Sequence, residues 1–197
     1  MNQTIQTVTQ NIIDRSKETR SVYLGRIKEA KNSKIKLACS NIAHAIAPMN
    51  EDEKKSLSIN HNPNIAIVSA YNDMLSAHEP YKHYPALIKK TLQEYSCTAQ
   101  VASAVPAMCD GVTQGQKGME LSLFSRDNIA IATAIGLSHN VFDGAIYLGV
   151  CDKIVPGMVM GALSFGHLPS LFIPSGPMPS GISNQEKAKI RQEFALG

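Results

Sequence analysis

At 197 residues, with 44% hydrophobic and 18% charged residues, the chain has ordinary globular composition and can bury the core of one domain, or one and a fraction. That balance excludes intrinsic disorder, a formal charge of +3 is too small to argue for nucleic acid, and no apolar run approaches a membrane span. The polar start Met1-Asn2-Gln3-Thr4 is unlike a signal peptide, so the cytoplasm is the expected location.

The first sixty residues read as helical. Ile5, Val8 and Ile12, then Tyr23, Ile27 and Ala30, recur at helical spacing, and residues 37–47 continue in short apolar steps. Arg15, Lys17, Arg20, Arg26, Lys28, Lys31, Lys34 and Lys36 form a basic excess best read as a solvated helix face. Pro48 ends that stretch, Glu51-Asp52-Glu53-Lys54-Lys55 reads as a solvated helix or loop, and Asn62-Pro63 marks a boundary. The expected division is an N-terminal helical segment, 1–62, and an α/β unit, 63–197.

From residue 65 the period changes. The apolar run 65–71 reads as a strand covered on both faces. A helix over 81–95, a strand at 98–104 and a loop rich in Gly and Pro follow. Next come a helix over 125–140 that Ser125 could cap, a strand at 144–150, a helix over 157–165 with Met158, Met160 and Leu163 as core, and a strand at 170–173. The loop 174–181 leads to a last helix opened by a Ser183/Glu186 capping box. The expected fold class is α/β, a mostly parallel sheet with flanking helices, preceded by the helical segment.

In such sheets ligands gather at the carboxyl ends of the strands. That rule collects Asn72, Asp73 and His78, then Cys109-Asp110-Gly111, then Cys151-Asp152-Lys153, then Ser175-Gly176. The four cysteines, Cys39, Cys97, Cys109 and Cys151, are far apart, so neither a disulfide framework nor a zinc knot is expected. Cys39 and Cys97 read as inert small hydrophobes. Cys151 stands apart, since a soft thiol, a hard carboxylate and an amine follow one another where a strand surfaces. Asp110 and Asp152 could both reach a divalent cation such as Mg²⁺, and Cys151 suits iron in an iron–sulfur cluster. Lys153 is the catalytic candidate, although a reactive amine needs a lowered pKa and a plain ion pair with an acid is the simpler role. Asp110-Gly111 and Asn72-Asp73 also read as simple turns. His78 and His83 fall near a helix start, and Gly115 and Gly118 lack the ending of a phosphate loop.

Five stretches carry a resemblance: Ala70 to His78, Val105 to Gly115, Gly118 to Ser122, Gly149 to Gly157 and Pro174 to Met178. The chain resembles the N-terminal portion of the dihydroxy-acid/phosphogluconate dehydratase family, on its phosphogluconate branch. The resemblance implies that Cys151 is a ligand of a [4Fe–4S] cluster, that Asp110 and Asp152 hold Mg²⁺, and that Lys153 corresponds to a lysine carried as a carbamate in dihydroxy-acid dehydratases. Where those have a cluster cysteine in the first loop, this chain has Ala77 and His78. Family members run well beyond residue 197, with another cluster cysteine, a further carboxylate and the serine proposed as base.

The expected activity is dehydration of 6-phospho-D-gluconate to 2-dehydro-3-deoxy-6-phospho-D-gluconate in the Entner–Doudoroff pathway, by a cytoplasmic homodimer of which this chain is an N-terminal fragment. The expected partner is a small sugar-acid phosphate, with no nucleic acid and no membrane. Dehydration of another aldonic or dihydroxy acid is the alternative within the family, and a non-catalytic truncated α/β module the alternative outside it. A nucleotide-binding domain would need a Gly-rich turn after the first strand, which Asn72-Asp73-Met74-Leu75 does not provide.

Overall fold

Four short apolar stretches become strands of an all-parallel sheet: β1 (Asn64–Ser69), β2 (Thr98–Ala104), β3 (Gly144–Leu148) and β4 (Ser170–Ile173), in the order β2-β1-β3-β4. This computed structural model describes residues 2–30, 37–58, 61–176 and 181–197. Around the strands lie α1 (Gln3–Ala30), α2 (Cys39–Ile46), α3 (Glu51–Ser58), α4 (Tyr84–Gln93), the single turn α5 (Asp110–Thr113), α6 (Leu121–Leu137), α7 (Ile154–Ser164) and α8 (Asn184–Leu196). The α/β class and the leading helices are as expected.

The central strands β1 and β3 read as apolar runs because both faces are covered. On one face Ala66, Val68, Ala145 and Tyr147 pack with Ile129 and Leu137 of α6 and with Ile154, Met158 and Ala162 of α7. On the other, Ile67, Ala99, Ile146 and Leu148 meet Tyr81 and the α4 residues Tyr84, Ile88 and Leu92. Ile67, Ile129 and Met158 are wholly buried, each contributing roughly 1.5–3 kcal/mol. The two helices of the first layer meet closely because Gly157 and Gly161 lack side chains: a Cβ on Gly157 would lie 2.7 Å from the Arg126 carbonyl oxygen, and one on Gly161 2.6 Å from Thr133 Cγ2. At the amino ends of the strands, buried Asn64 accepts from Thr98 Oγ1 at 3.0 Å and donates to Gln100 Oε1 at 2.9 Å, which ties β1 to β2.

Several element boundaries differ from the sequence reading. Helix α6 begins at Leu121 because a 3₁₀ turn at Lys117–Glu120 runs straight into it. Ser125 is therefore inside the helix, its hydroxyl donating to Ser122 O at 2.6 Å, and caps nothing. Helix α7 begins at Ile154, since Pro156 falls in the first turn, where no amide partner is lost. The 81–95 stretch splits into a 3₁₀ turn, Glu79–Lys82, and α4. Strand β3 stops at Leu148, for a reason given below. Met158 is core, but Met160 and Leu163 are 44% and 54% exposed. Cys39 is exposed rather than buried. The capping box forms as read: Glu186 N donates to Ser183 Oγ at 3.2 Å and Ser183 N to Glu186 Oε2 at 2.9 Å.

The leading helix is one 28-residue rod with no buried residue. Its basic side chains Arg15, Lys17, Arg20, Arg26 and Lys28 are exposed; Lys31, Lys34 and Lys36 lie outside the described residues. The rod touches the α/β unit at its carboxyl end, where Tyr23 Oη donates to Leu163 O at 2.9 Å.

Candidate active site at the strand ends

The chain leaves β1 toward β2 on one side and later returns to place β3 on the other, so the crevice between the carboxyl ends of β1 and β3 is the switch point of the sheet, where such folds bind ligands. Residues from three loops meet there. After β3, Gly149 is pressed against α7, with an added Cβ only 2.5 Å from Met158 Sδ. Two residues on, Cys151 takes a φ of 80°, a left-handed conformation that costs a non-glycine residue about 1–2 kcal/mol. This abrupt turn is what ends β3.

After β1, His78 is wholly buried. Its Nδ1 lies 2.9 Å from Ala70 O; a carbonyl only accepts, so Nδ1 carries the proton and Nε2 keeps its lone pair. That Nε2 faces Cys151 Sγ at 3.5 Å. Burial holds the His78 pKa below its ordinary value. Burial also pushes the Cys151 thiol up, and the nearby acidic groups Cys109, Asp152 and Asp110 push it the same way against the pull of Lys153. The two are a neutral thiol–imidazole pair rather than an activated nucleophile.

Asp110 opens α5, after β2. Its Oδ1 accepts from the buried Ser122 hydroxyl at 2.6 Å, and its Oδ2 receives the Lys153 ammonium. Lys153 Nζ also lies 3.0 Å from Asp152 Oδ2. The Lys153 hydrogen bond, then that from Ser122, holds the Asp110 carboxyl below the usual range. In return Asp110, then Asp152, keep the Lys153 amine protonated above its ordinary pKa. That direction is opposite to what a reactive amine needs: Lys153 here is a cation between two carboxylates.

Other expected residues have local roles. Asn72 Oδ1 accepts from Met74 N at 2.9 Å, a turn within the loop, and Asp73 is exposed. Ser175, after β4, donates to Ala77 O at 2.6 Å and so clamps the His78 loop; residues 177–180 of its loop lie outside the described residues. Gly115 and Gly118 have open space around them. Ser122 and Tyr81 were not singled out as chemistry. Ser122 sits in a stretch that carries the resemblance, and that was its only signal. Tyr81 packs edge-on to the Tyr84 ring, 5.3 Å between centroids, and donates to Ile173 O at 3.0 Å.

The donors suit two kinds of positive group. Two carboxylate oxygens already converge on one cation, the Lys153 ammonium, the charge pattern a hard divalent ion requires. Cys151, with His78 and Cys109 close by, suits a softer metal. Among the described residues, however, no three His, Cys, Asp or Glu side chains stand close enough together to hold a metal alone. Further donors must come from elsewhere. A cavity of about 460 Å³ along β2, lined in part by His44, Gln100 and His139, shares no residue with this cluster.

The family model describing the dihydroxy-acid/6-phosphogluconate dehydratase N-terminal region matches residues 62–196. The chain belongs to this dehydratase family. It is 60% identical over 200 residues to the phosphogluconate dehydratase of Escherichia coli K12, covering 100% of this chain and 33% of that protein. With the phosphogluconate dehydratase of Helicobacter pylori 26695 it shares 62% identity over 195 residues, 98% of this chain and 32% of the relative. Likeness to the dihydroxy-acid dehydratase of Akkermansia muciniphila is lower, 40% over 121 residues, 61% of this chain. The chain thus spans about a third of the length of the phosphogluconate dehydratases it matches.

Proposed function

We propose that this chain supplies the first part of a dehydratase site that removes water from 6-phospho-D-gluconate to give 2-dehydro-3-deoxy-6-phospho-D-gluconate. The observation that carries the reading is the meeting of Asp110, Asp152 and Lys153, beside the His78–Cys151 pair, at the switch point of a dehydratase-family fold. Cys151 would be a ligand of a [4Fe–4S] cluster, and Asp110 and Asp152 would hold Mg²⁺. When bound, these groups supply fixed positive charge to the enolate that forms at the substrate carboxylate and to the departing hydroxyl.

The chain's own residues prepare that site. Ser122 fixes the orientation of Asp110, Ala70 O fixes the ring of His78, and Ser175 holds the loop that carries it. Lys153 keeps the two carboxylates together. Were its ammonium to lose a proton and the free amine to add CO₂ with release of a second proton, the resulting carbamate would replace that positive charge with a negative oxygen donor, so the same side chain could pass from cation stand-in to metal ligand. No helix among the described residues is long and apolar enough to cross a membrane, and a cytoplasmic homodimer with a sugar-acid phosphate as substrate is the setting we infer.

The test is a chimera in which this chain replaces the matching third of the Escherichia coli relative, made anaerobically and offered 6-phosphogluconate, an unphosphorylated aldonate and a branched dihydroxy acid. Preference for the phosphorylated sugar acid, lost on exposure to air, supports the proposal. Turnover that survives complete iron removal refutes the mechanism, and preference for another acid refutes the substrate. The 197-residue chain alone should show little or no turnover, because among its described residues no three donor side chains stand close enough to hold either metal alone.

A further inference from the structure

The fold sorts the four cysteines by place. Cys97 immediately precedes β2, at the opposite end of the sheet from the site, and its thiol donates to Tyr95 O at 3.5 Å. Cys39 opens α2 and is exposed. Cys109 and Cys151 instead follow β2 and β3, the two strands that pair with β1. Each directly precedes an aspartate that holds Lys153, so one ammonium draws two Cys-Asp steps together. The two thiols are near enough to act on each other's charge, yet both are free rather than joined in a disulfide. The Cys109 thiol is also not spent on the fold. It stands at the N-cap of α5 without making the capping hydrogen bond. Val112 N, Thr113 N and Thr113 Oγ1 donate to the Cys109 carbonyl instead. Backbone holds this turn, and a half-buried soft donor is left uncommitted beside Asp110.

We propose that Cys109 is a second ligand of the iron–sulfur cluster, bound to a different iron from Cys151, so that the loops after β2 and β3 each supply one corner of it. This rests on the reading that Cys151 carries the cluster and adds Cys109 to it. A [4Fe–4S] cluster takes one thiolate per iron, so a single cysteine from this chain leaves the other irons unserved. The loop after β1 offers Ala77 and His78 rather than a thiol, and Cys109 is the other cysteine at the strand ends. Each Cys-Asp step then gives a soft donor to the iron group and a hard one to Mg²⁺, which ties the spacing of the two groups to one pair of loops. Ligation transfers no electron: each thiol gives up one proton to solvent as its iron–sulfur bond forms.

The experiment uses the chimera, loaded anaerobically with iron and sulfide and treated with iodoacetamide before and after a chelator strips the iron. Mass spectrometry of the peptides reads each cysteine. Cys109 and Cys151 should be protected while the cluster is bound and alkylated once it is gone, whereas exposed Cys39 should be alkylated in both states. This arm needs no variant. Cys109→Ala should weaken retention of iron against the chelator at least about tenfold. Cys109→Ser, which offers an oxygen in place of sulfur, should keep a cluster and change the electron paramagnetic resonance spectrum of its reduced form. Cys97→Ala should leave that spectrum unchanged, and circular dichroism checks that each variant folds. A loaded chimera whose Cys109 is alkylated as fast as Cys39, or whose spectrum is the same with Cys109→Ser, overturns the proposal. If Cys151 is needed for the cluster and Cys109 is not, the new assignment alone fails. A chimera whose iron does not depend on Cys151 sinks the reading beneath it.

Discussion

Lys153 gives its ammonium to Asp110, 43 positions earlier in the chain, while its neighbour Asp152 holds the same Nζ at 3.0 Å. This one cation joins the loop after β2 to the loop after β3, and it keeps two carboxylates close that would otherwise repel each other.

Removing the cation should therefore show first at Asp110. In Lys153→Met the largest cause of its lowered pKa is gone and Asp152 is left facing it. The Asp110 carboxyl should then rise from its lowered position toward the ordinary carboxylate range, with the Ser122 hydrogen bond still drawing it down. A pH titration of its side-chain carbon signal by NMR checks this. An Asp110 titration identical in the native chain and the variant contradicts the ion pair.

His78 makes acid stability a site-specific measurement. Its folded pKa lies below the ordinary 6.5 because of burial, so below that pH the unfolded chain takes up a proton that the folded chain refuses. Stability is full above about 6.5 and falls as pH drops from there toward the folded pKa. His167, also lowered by burial, adds to the same slope. Thermal melting between pH 8 and 5 should show a falling midpoint, and His78→Gln should flatten part of that fall. An unchanged slope in the variant rules out a His78 contribution.

The left-handed backbone at Cys151 separates two substitutions that both remove the thiol. Ala keeps the strain, whereas Gly adopts φ of 80° without penalty. Cys151→Gly should be more stable than Cys151→Ala by about 1 kcal/mol, reversing glycine's usual disadvantage. Urea denaturation of both variants measures the difference, and a less stable glycine variant contradicts the strain.

Helix α7 holds Lys153 in place by its contact with α6, and that contact depends on Gly157. A Cβ there would meet the Arg126 carbonyl oxygen at 2.7 Å and Ile129 Cβ at 2.8 Å, neither a flexible chain end. Gly157→Ala should cost roughly 1–3 kcal/mol, while Gly115, open on all sides but at positive φ, should lose stability through backbone strain alone. Denaturation midpoints at unchanged m-value compare the two.

The strands, their parallel sense and the loops that build the site were legible because β1 and β3 are buried on both faces and write themselves as apolar runs. Cys151, Asp152, Lys153 and Asp110 were legible as polar residues just past such runs. The pairing of Lys153 with Asp110 was not: it depends on how α5 and α7 start relative to each other, which no local pattern encodes. Ser122 was hidden by the misplaced start of α6, since a 3₁₀ turn leading into a helix has no capping residue to announce it. His78 lay beside a helix start, and only the register of β1 against β3 brings its loop to Cys151.

The most direct measurement of the central claim is iron content and 6-phosphogluconate turnover of the anaerobic chimera with and without Cys151. The native chimera should hold iron and sulfide and release the 2-keto product, and Cys151→Ala should lose the iron and cut the rate by about 100-fold or more. A Cys151→Ala chimera that keeps both its iron and its rate would contradict the account.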